Sequence, residues 1–243
     1  MAALLETIKK ESLSKEPTVD DLDNEQYEGF LLQKIREGNV KDISDAFENP
    51  EHPVYSEMQN ELKTFDSEGK SPIDLAVCLG RHEILQELHK RGASINDATE
   101  TGYTPLHRAA AWNRLSCVRY LVQNDANINA VTVHKERPKD IAERYKNNEC
   151  KWYLEWAEVK QDLIRFLKDM RDTVMEPDRI LGRLTKDDKN QTLAVCQEKI
   201  DWAESAHDVT SEEIREKRRE IENFLEHVVH KLNEPPADKV QRK

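Results

Sequence analysis

Gly102-Tyr103-Thr104-Pro105-Leu106-His107-Arg108-Ala109-Ala110 reads as a tight turn running straight into a helix. Gly102 permits the positive φ of the turn. Thr104 is the capping hydroxyl, and Pro105 follows at the first helical position, where no backbone donor is needed. Ala109 and Ala110 let a second helix approach closely. The same stretch recurs upstream as Gly69-Lys70-Ser71-Pro72-Ile73-Asp74-Leu75-Ala76, and Pro138 follows Pro105 at the same interval (105 − 72 = 33; 138 − 105 = 33). The offset also maps Ala76 onto Ala109 and Ala142, Leu88 onto Leu121 and Leu154, and Ile95-Asn96 onto Ile128-Asn129. A fixed period in the thirties signals a solenoid of stacked helix pairs.

These residues resemble the ankyrin signature, strongly around Thr104-Pro105-Leu106-His107 and more weakly around Ser71-Pro72-Ile73-Asp74. The second helix of each unit is expected over Glu83 to Lys90 and Ser116 to Gln123, with Ile84, Leu85 and Leu88 or Cys117, Val118 and Leu121 facing inward. Gly92 is expected to end the first of these with a left-handed cap. The third unit is degraded: Lys135 stands where the turn glycine belongs and Arg137 where the hydroxyl belongs. A polar last unit suits a repeat that meets solvent or another domain. Upstream, Gly38-Asn39 with Ile43, Ala46 and Phe47 matches the second half of a unit, offset by 42 (80 − 38). About nine extra residues are therefore expected between Asn49 and Asn60.

From about Trp156 the period stops. Leu163, Phe166, Leu167, Met170 and Val174 follow the spacing of an amphipathic helix, which Pro177 and Gly182 end. A second helix is expected from Thr185, burying Leu193, Cys196 and Ile200. A third, behind the Thr210–Glu213 capping box, carries Ile214, Ile221, Phe224, Leu225, Val228 and Leu232. The segments Gly182-Arg183-Leu184-Thr185, Cys196-Gln197-Glu198-Lys199-Ile200-Asp201-Trp202 and Glu213 to Glu222 resemble the helical lid of the seventy-kilodalton heat-shock chaperones. That resemblance implies a lid-like fold over roughly 160–233. There is no room for the ATPase and peptide-binding domains of that family, and the chain ends Lys239-Val240-Gln241-Arg242-Lys243 instead of in its acidic tetrapeptide. Arg137 to Tyr145, Glu155-Trp156-Ala157 and Lys186 to Asn190 further resemble a family that joins a short ankyrin stack to such a domain. The expected fold is all-α: a flexible segment over 1–25, an ankyrin-repeat solenoid over 26–155, a small helical bundle over 156–233 and a flexible tail over 234–243.

Composition agrees with thin helical cores. The 243 residues are 37% hydrophobic and 35% charged, with seven glycines and a net charge of −11. So acidic a chain is ill suited to nucleic acid or anionic lipid, and no stretch approaches the about 20 apolar residues of a membrane span. Cys78, Cys117, Cys150 and Cys196 are widely spaced with no CxxC pair, which favours free buried thiols over disulfides or zinc. There is no phosphate loop, dinucleotide fingerprint or nucleophile elbow. His107 is read as structural, since the resemblance implies that it bonds turn backbone between units. Lys217-Arg218-Arg219 lies among glutamates and reads as a solvated helix face.

The expected function is non-enzymatic protein binding, without cofactor or metal. The ankyrin resemblance implies contact positions on the turn tips and first helices. Carried along the 33-residue register, these are Ser67, Glu68, Lys70, Cys78 and Leu79; Glu100, Thr101, Tyr103, Ala111 and Trp112; and Val133, His134, Glu136, Arg144 and Tyr145. Tyr103, Trp112 and Tyr145 are of the types enriched in interface hot spots, although Trp112 can equally pack within the chain. Trp152, Tyr153, Leu154 and Trp156 are expected to form a structural seam that covers the last repeat. The helical domain is expected to bind a second protein or dock onto a cytoskeletal or other large assembly, ciliary or of the dividing cell, in the cytoplasm. The alternative is a chaperone-linked regulator whose lid-like domain touches clients or chaperones.

Overall fold

A computed structural model of the chain describes residues 29–66, 69–176, 183–206 and 209–233. Ser67, Glu68, Pro177 and Gly182, and the segments expected to be flexible at either end, lie outside them. Among the described residues every regular element is a helix. Four antiparallel pairs come first: α1 (Phe30–Glu37) and α2 (Val40–Glu48), α4 (Pro72–Cys78) and α5 (His82–Lys90), α6 (Pro105–Ala111) and α7 (Leu115–Gln123), then α8 (Pro138–Arg144) with α9 (Asn148–Met175). The inserted residues after α2 form turns and the short α3 (Met58–Glu61). Two long helices, α10 (Lys186–Ser205) and α11 (Ser211–Asn233), complete the chain. Where the register pointed to half a unit at the start, there is a whole one, because Phe30–Glu37 supplies the missing first helix and buries Leu31, Leu32 and Ile35.

The starts repeat with the sequence period. First helices begin at Pro72, Pro105 and Pro138, and second helices at His82, Leu115 and Asn148. The turn within each pair carries one left-handed residue in the same register: Gly38, Gly80, Asn113 and Lys146, at φ 76, 70, 54 and 60. The residue just after it clamps the preceding unit. Arg81 Nη2 donates to the Arg36 carbonyl at 3.1 Å, Arg114 Nε to the Cys78 carbonyl at 3.0 Å, and Asn147 Nδ2 to the Ala110 and Ala111 carbonyls at 2.8 Å each. These carbonyls belong to the last turns of first helices, whose acceptors lack intrahelical donors and whose dipole favours a cation. Stacking is thus held by a polar clamp as well as by buried Leu75, Leu85, Leu88, Leu106, Val118 and Leu121.

Helix α9 has two roles. Its first two turns are the second helix of the last repeat, and Cys150 and Leu154, with half-buried Tyr153, pack into the stack core. The rest forms a three-helix core: Leu163 and Leu167 meet Cys196, Ile200 and Ala203 of α10 and Ile214, Ile221 and Leu225 of α11, with Trp156, Val159 and Met170 packed against them. Trp152, expected to help bury the seam, is 62% exposed instead. It is one residue, hence about 100° around the helix, from Tyr153. Phe224 is likewise 47% exposed, outside the stripe that Ile221, Leu225 and Val228 bury. Asp188 joins α10 to α11. It caps Thr185 at 3.0 Å and takes a bond from Lys231 at 2.8 Å, and these hold its carboxyl far below the usual range.

Arg137 repays the lost capping hydroxyl in another way. Its backbone N–H donates to Asp140 at 2.9 Å, while its guanidinium and the Lys139 ammonium both pair with Glu158 of α9, Arg137 at 2.5 Å. All four cysteines are free and buried, and burial pushes the Cys78, Cys150 and Cys196 thiols up to about 11, leaving them protonated at neutral pH.

Candidate protein-interaction face

Each of the last three units begins with a turn finger. In the first, Asp66 N–H donates to the Lys70 carbonyl at 2.9 Å; in the second Thr99 N–H donates to Tyr103 at 2.9 Å; in the third Thr132 N–H donates to Glu136 at 3.0 Å. Gly69, Gly102 and Lys135 occupy the left-handed position of the fingers, at φ 73, 80 and 63. Lys135 therefore adopts the glycine conformation in spite of its side chain. Fingers 2 and 3 are joined by Val133 N–H to the Thr101 carbonyl at 3.1 Å.

His107 is fully buried and uses both ring nitrogens structurally. Nδ1 accepts from the Thr104 N–H at 3.1 Å and lies 2.9 Å from its hydroxyl, and Nε2 faces the Glu136 carbonyl of the next finger at 3.2 Å. The ring is therefore the neutral Nε2–H tautomer. Burial holds its pKa below the ordinary 6.5. Because the folded value is the lower one, the fold favours the neutral ring. The stabilisation is complete above the unfolded pKa and declines as pH falls through it towards the folded value. Acidification from about pH 7 to about pH 5 should accordingly lower the unfolding midpoint, and His107→Gln should flatten that part of the profile. A dependence unchanged by the substitution would show that another group carries it.

The positions read from the register fall into rows. Lys70, Tyr103 and Glu136 follow the finger tips. Tyr103 is half-buried and tilts against the His107 ring at 5.7 Å, with the Arg108 guanidinium 6.0 Å from its centroid. Leu79, Trp112 and Tyr145 each occupy the C-cap of a first helix, 33 residues apart. Tyr145 is 43% exposed with Arg144 over its ring at 4.9 Å; Leu79 and Trp112 are half-buried. Arg144 also reaches Glu136 at 3.4 Å, linking the two rows at the last unit. Glu100, Thr101, Val133 and His134 are exposed on the fingers, Ala111 is half-buried, and Cys78 is buried beneath the surface.

Sequence reading did not single out Phe65 and Val131, 65% and 49% exposed on the fingers. Their common register (65 + 33 = 98; 98 + 33 = 131) was the available signal. The clamp residues Arg81 and Arg114 were legible by the same offset. A cleft of about 670 Å³ lies between the end of α7 and α9 and is bordered by Lys160, Lys168, Asp125 and Asp169. Its charges are of both signs and select no ligand class. Among the described residues no cluster of three or more His, Cys, Asp or Glu is placed to hold a metal ion, and no helix is long and apolar enough to cross a membrane.

The family model for ankyrin repeats in three copies matches residues 38–132. The chain is 30% identical over 205 residues to Ankyrin repeat domain-containing protein 45 of Homo sapiens, covering 84% of this chain and 77% of that protein. It is 31% identical over 208 residues to the Mus musculus protein of the same name, covering 86% and 84%. The Danio rerio protein is 36% identical over 138 residues, 57% of this chain and 62% of its own length. The stack is thus an ankyrin domain, a protein–protein interaction module.

Proposed function

The chain belongs to the ankyrin repeat domain-containing protein 45 family, and on that premise we propose that it is a non-enzymatic adaptor that grips a protein through the finger and first-helix face. The observation that carries this reading is the row Leu79, Trp112 and Tyr145. It sets two large aromatic side chains in successive units, half-buried Trp112 and exposed Tyr145, the latter under the Arg144 guanidinium that also reaches Glu136. Aromatic anchors next to pairable charge are the composition of hot spots. The non-enzymatic part rests on His107, whose two ring nitrogens are both engaged with backbone and leave none to move a proton. The helices α9 to α11 supply a second unit for docking onto another protein or a larger assembly in the cytoplasm. Met175 and Phe224, 54% and 47% exposed, are its most prominent apolar side chains beyond the stack.

The test is affinity purification and proximity labelling with the intact chain, followed by Trp112→Ala with Tyr145→Ala. The two changes should weaken binding of the captured partner by about 30-fold or more, the effect of losing one hot spot worth about 2 kcal/mol. The thermal midpoint should move little. Gln86→Ala with Arg119→Ala, on the outer face of the second helices, should leave binding intact. Equal retention of the partner by both double variants would overturn the assignment.

A further inference from the structure

The row Leu79, Trp112 and Tyr145 leaves two donors unused. Neither the Trp112 indole N–H nor the Tyr145 hydroxyl has a hydrogen-bond partner among the described residues, and neither atom is sealed from solvent. The row ends with the second unit: in the first, the same register (79 − 42 = 37) holds Glu37, which Lys34 already pairs at 2.6 Å. Equivalent positions on stacked helices lie roughly 8–10 Å apart, the packing distance of helix axes.

A row of cations runs beside it. Arg81, Arg114 and Lys146 follow the three row residues by one or two positions, in the turns between first and second helices. No carboxylate among the described residues forms an ion pair with any of the three. Glu83 and Glu149, in the first turns of α5 and α9, are exposed and stay unpaired with them. Glu136 and Glu143 are held by Arg144 and Lys151. Arg81 and Arg114 each use one donor on a clamp carbonyl, and a guanidinium has five. In a chain of net charge −11, these turns are a local exception.

We propose that the row takes a proline-rich, acidic segment of the partner in the polyproline II conformation. The proposal rests on the adaptor reading and supplies the partner's conformation and charge. Polyproline II has three residues per turn, so one of its edges repeats about every 9.3 Å. That spacing sets one apolar side chain against each of Leu79, Trp112 and Tyr145, and about seven residues cover both intervals. A β-strand returns to the same face about every 6.6–6.8 Å and falls out of step. An α-helix comes close, at about 10.5 Å over seven residues, but its carbonyls are engaged along its own axis. The polyproline II backbone makes no internal hydrogen bonds. Its carbonyls are free to accept from Trp112 Nε1 and Tyr145 Oη, and such segments dock on aromatic-lined grooves. A second edge brings carboxylates to Arg81, Arg114 and Lys146.

The probe is acetyl-(Leu-Pro-Asp)₃-amide, titrated into the ¹⁵N-labelled full chain near neutral pH and at low salt. In polyproline II its leucines share one edge and its aspartates another. Saturable shifts are expected at the Trp112 indole N–H and at the Leu79 and Tyr145 amides, with a Kd on the order of millimolar for so small a ligand. The neutral acetyl-(Leu-Pro-Asn)₃-amide should bind about tenfold more weakly, as loss of charge-assisted pairs implies. Trp112→Phe keeps a ring and removes the donor, and should weaken the probe about fivefold with the thermal midpoint unchanged. Lys146→Gln should weaken it about threefold. Shifts that miss Trp112 and Tyr145, or equal binding of the asparagine peptide, would overturn the proposal. So would equal binding of a peptide of the same composition with its leucines two residues apart, or tighter binding of a helical peptide of the same charge with leucines seven apart. If the peptides fail while the captured partner is still lost from the Trp112 and Tyr145 variants, the polyproline proposal falls and the adaptor reading stands.

Discussion

A fragment spanning residues 26–150 is expected to melt far below the intact chain or not to fold. It ends three residues into α9, which begins at Asn148. The cut removes Tyr153 and Leu154 from the last repeat and, with Glu158, the carboxylate that pairs with Arg137 and Lys139. Leu154 is only 2% exposed, and truncating such a buried leucine to alanine alone typically costs about 2–5 kcal/mol. The whole loss is then comparable with the about 5–15 kcal/mol that holds a domain together. A fragment extended to residue 176 should regain the stack's midpoint yet aggregate, because Leu163 and Leu167 lose the helices that cover them. In the full chain, Trp156→Ala should loosen both cores together, since that ring packs on the bundle and lies 5.3 Å from Tyr153, which packs on the stack. Circular dichroism melts and amide exchange in α7 provide the readout. A 26–150 fragment with an unchanged midpoint would mean that the halves are independent.

Gly102→Ala is expected to destabilise the chain by about 3 kcal/mol or more, and Gly69→Ala by roughly a third of that. Both residues are left-handed, at φ 80 and 73, and an L side chain there costs about 1–2 kcal/mol. Lys135 shows that the chain tolerates that strain in a finger. The difference between the two glycines is the neighbour. The new methyl at 102 meets backbone at 2.9–3.2 Å, so finger 3 must retreat and stretch its bonds from Val133 and His107. At 69 the methyl enters open space. Urea denaturation of the two variants measures both costs. Equal losses would contradict the different surroundings of the two glycines.

How much of this was legible beforehand depends on the range of the forces involved. The period of 33, the helix starts at Pro72, Pro105 and Pro138 and the register of Leu79, Trp112 and Tyr145 follow from caps, turn residues and apolar spacing, which act over a few residues and so are written in the chain. The amphipathic stripes of α10 and α11 are local in the same sense, apart from exposed Phe224, half-buried Leu232, and half-buried Leu193, whose neighbour Thr192 is buried in its stead. Tertiary structure alone decided which side of α9 faces which core. Trp152, Tyr153 and Trp156 are equally apolar by composition, and only the positions of α7 and α11 leave the first exposed and bury the others in part. It also decided which first helix bonds across to the next finger. A histidine and an aspartate each cap their own helix equally well, but only the histidine can donate across to the next finger. That difference becomes physical only when the neighbouring unit is in place.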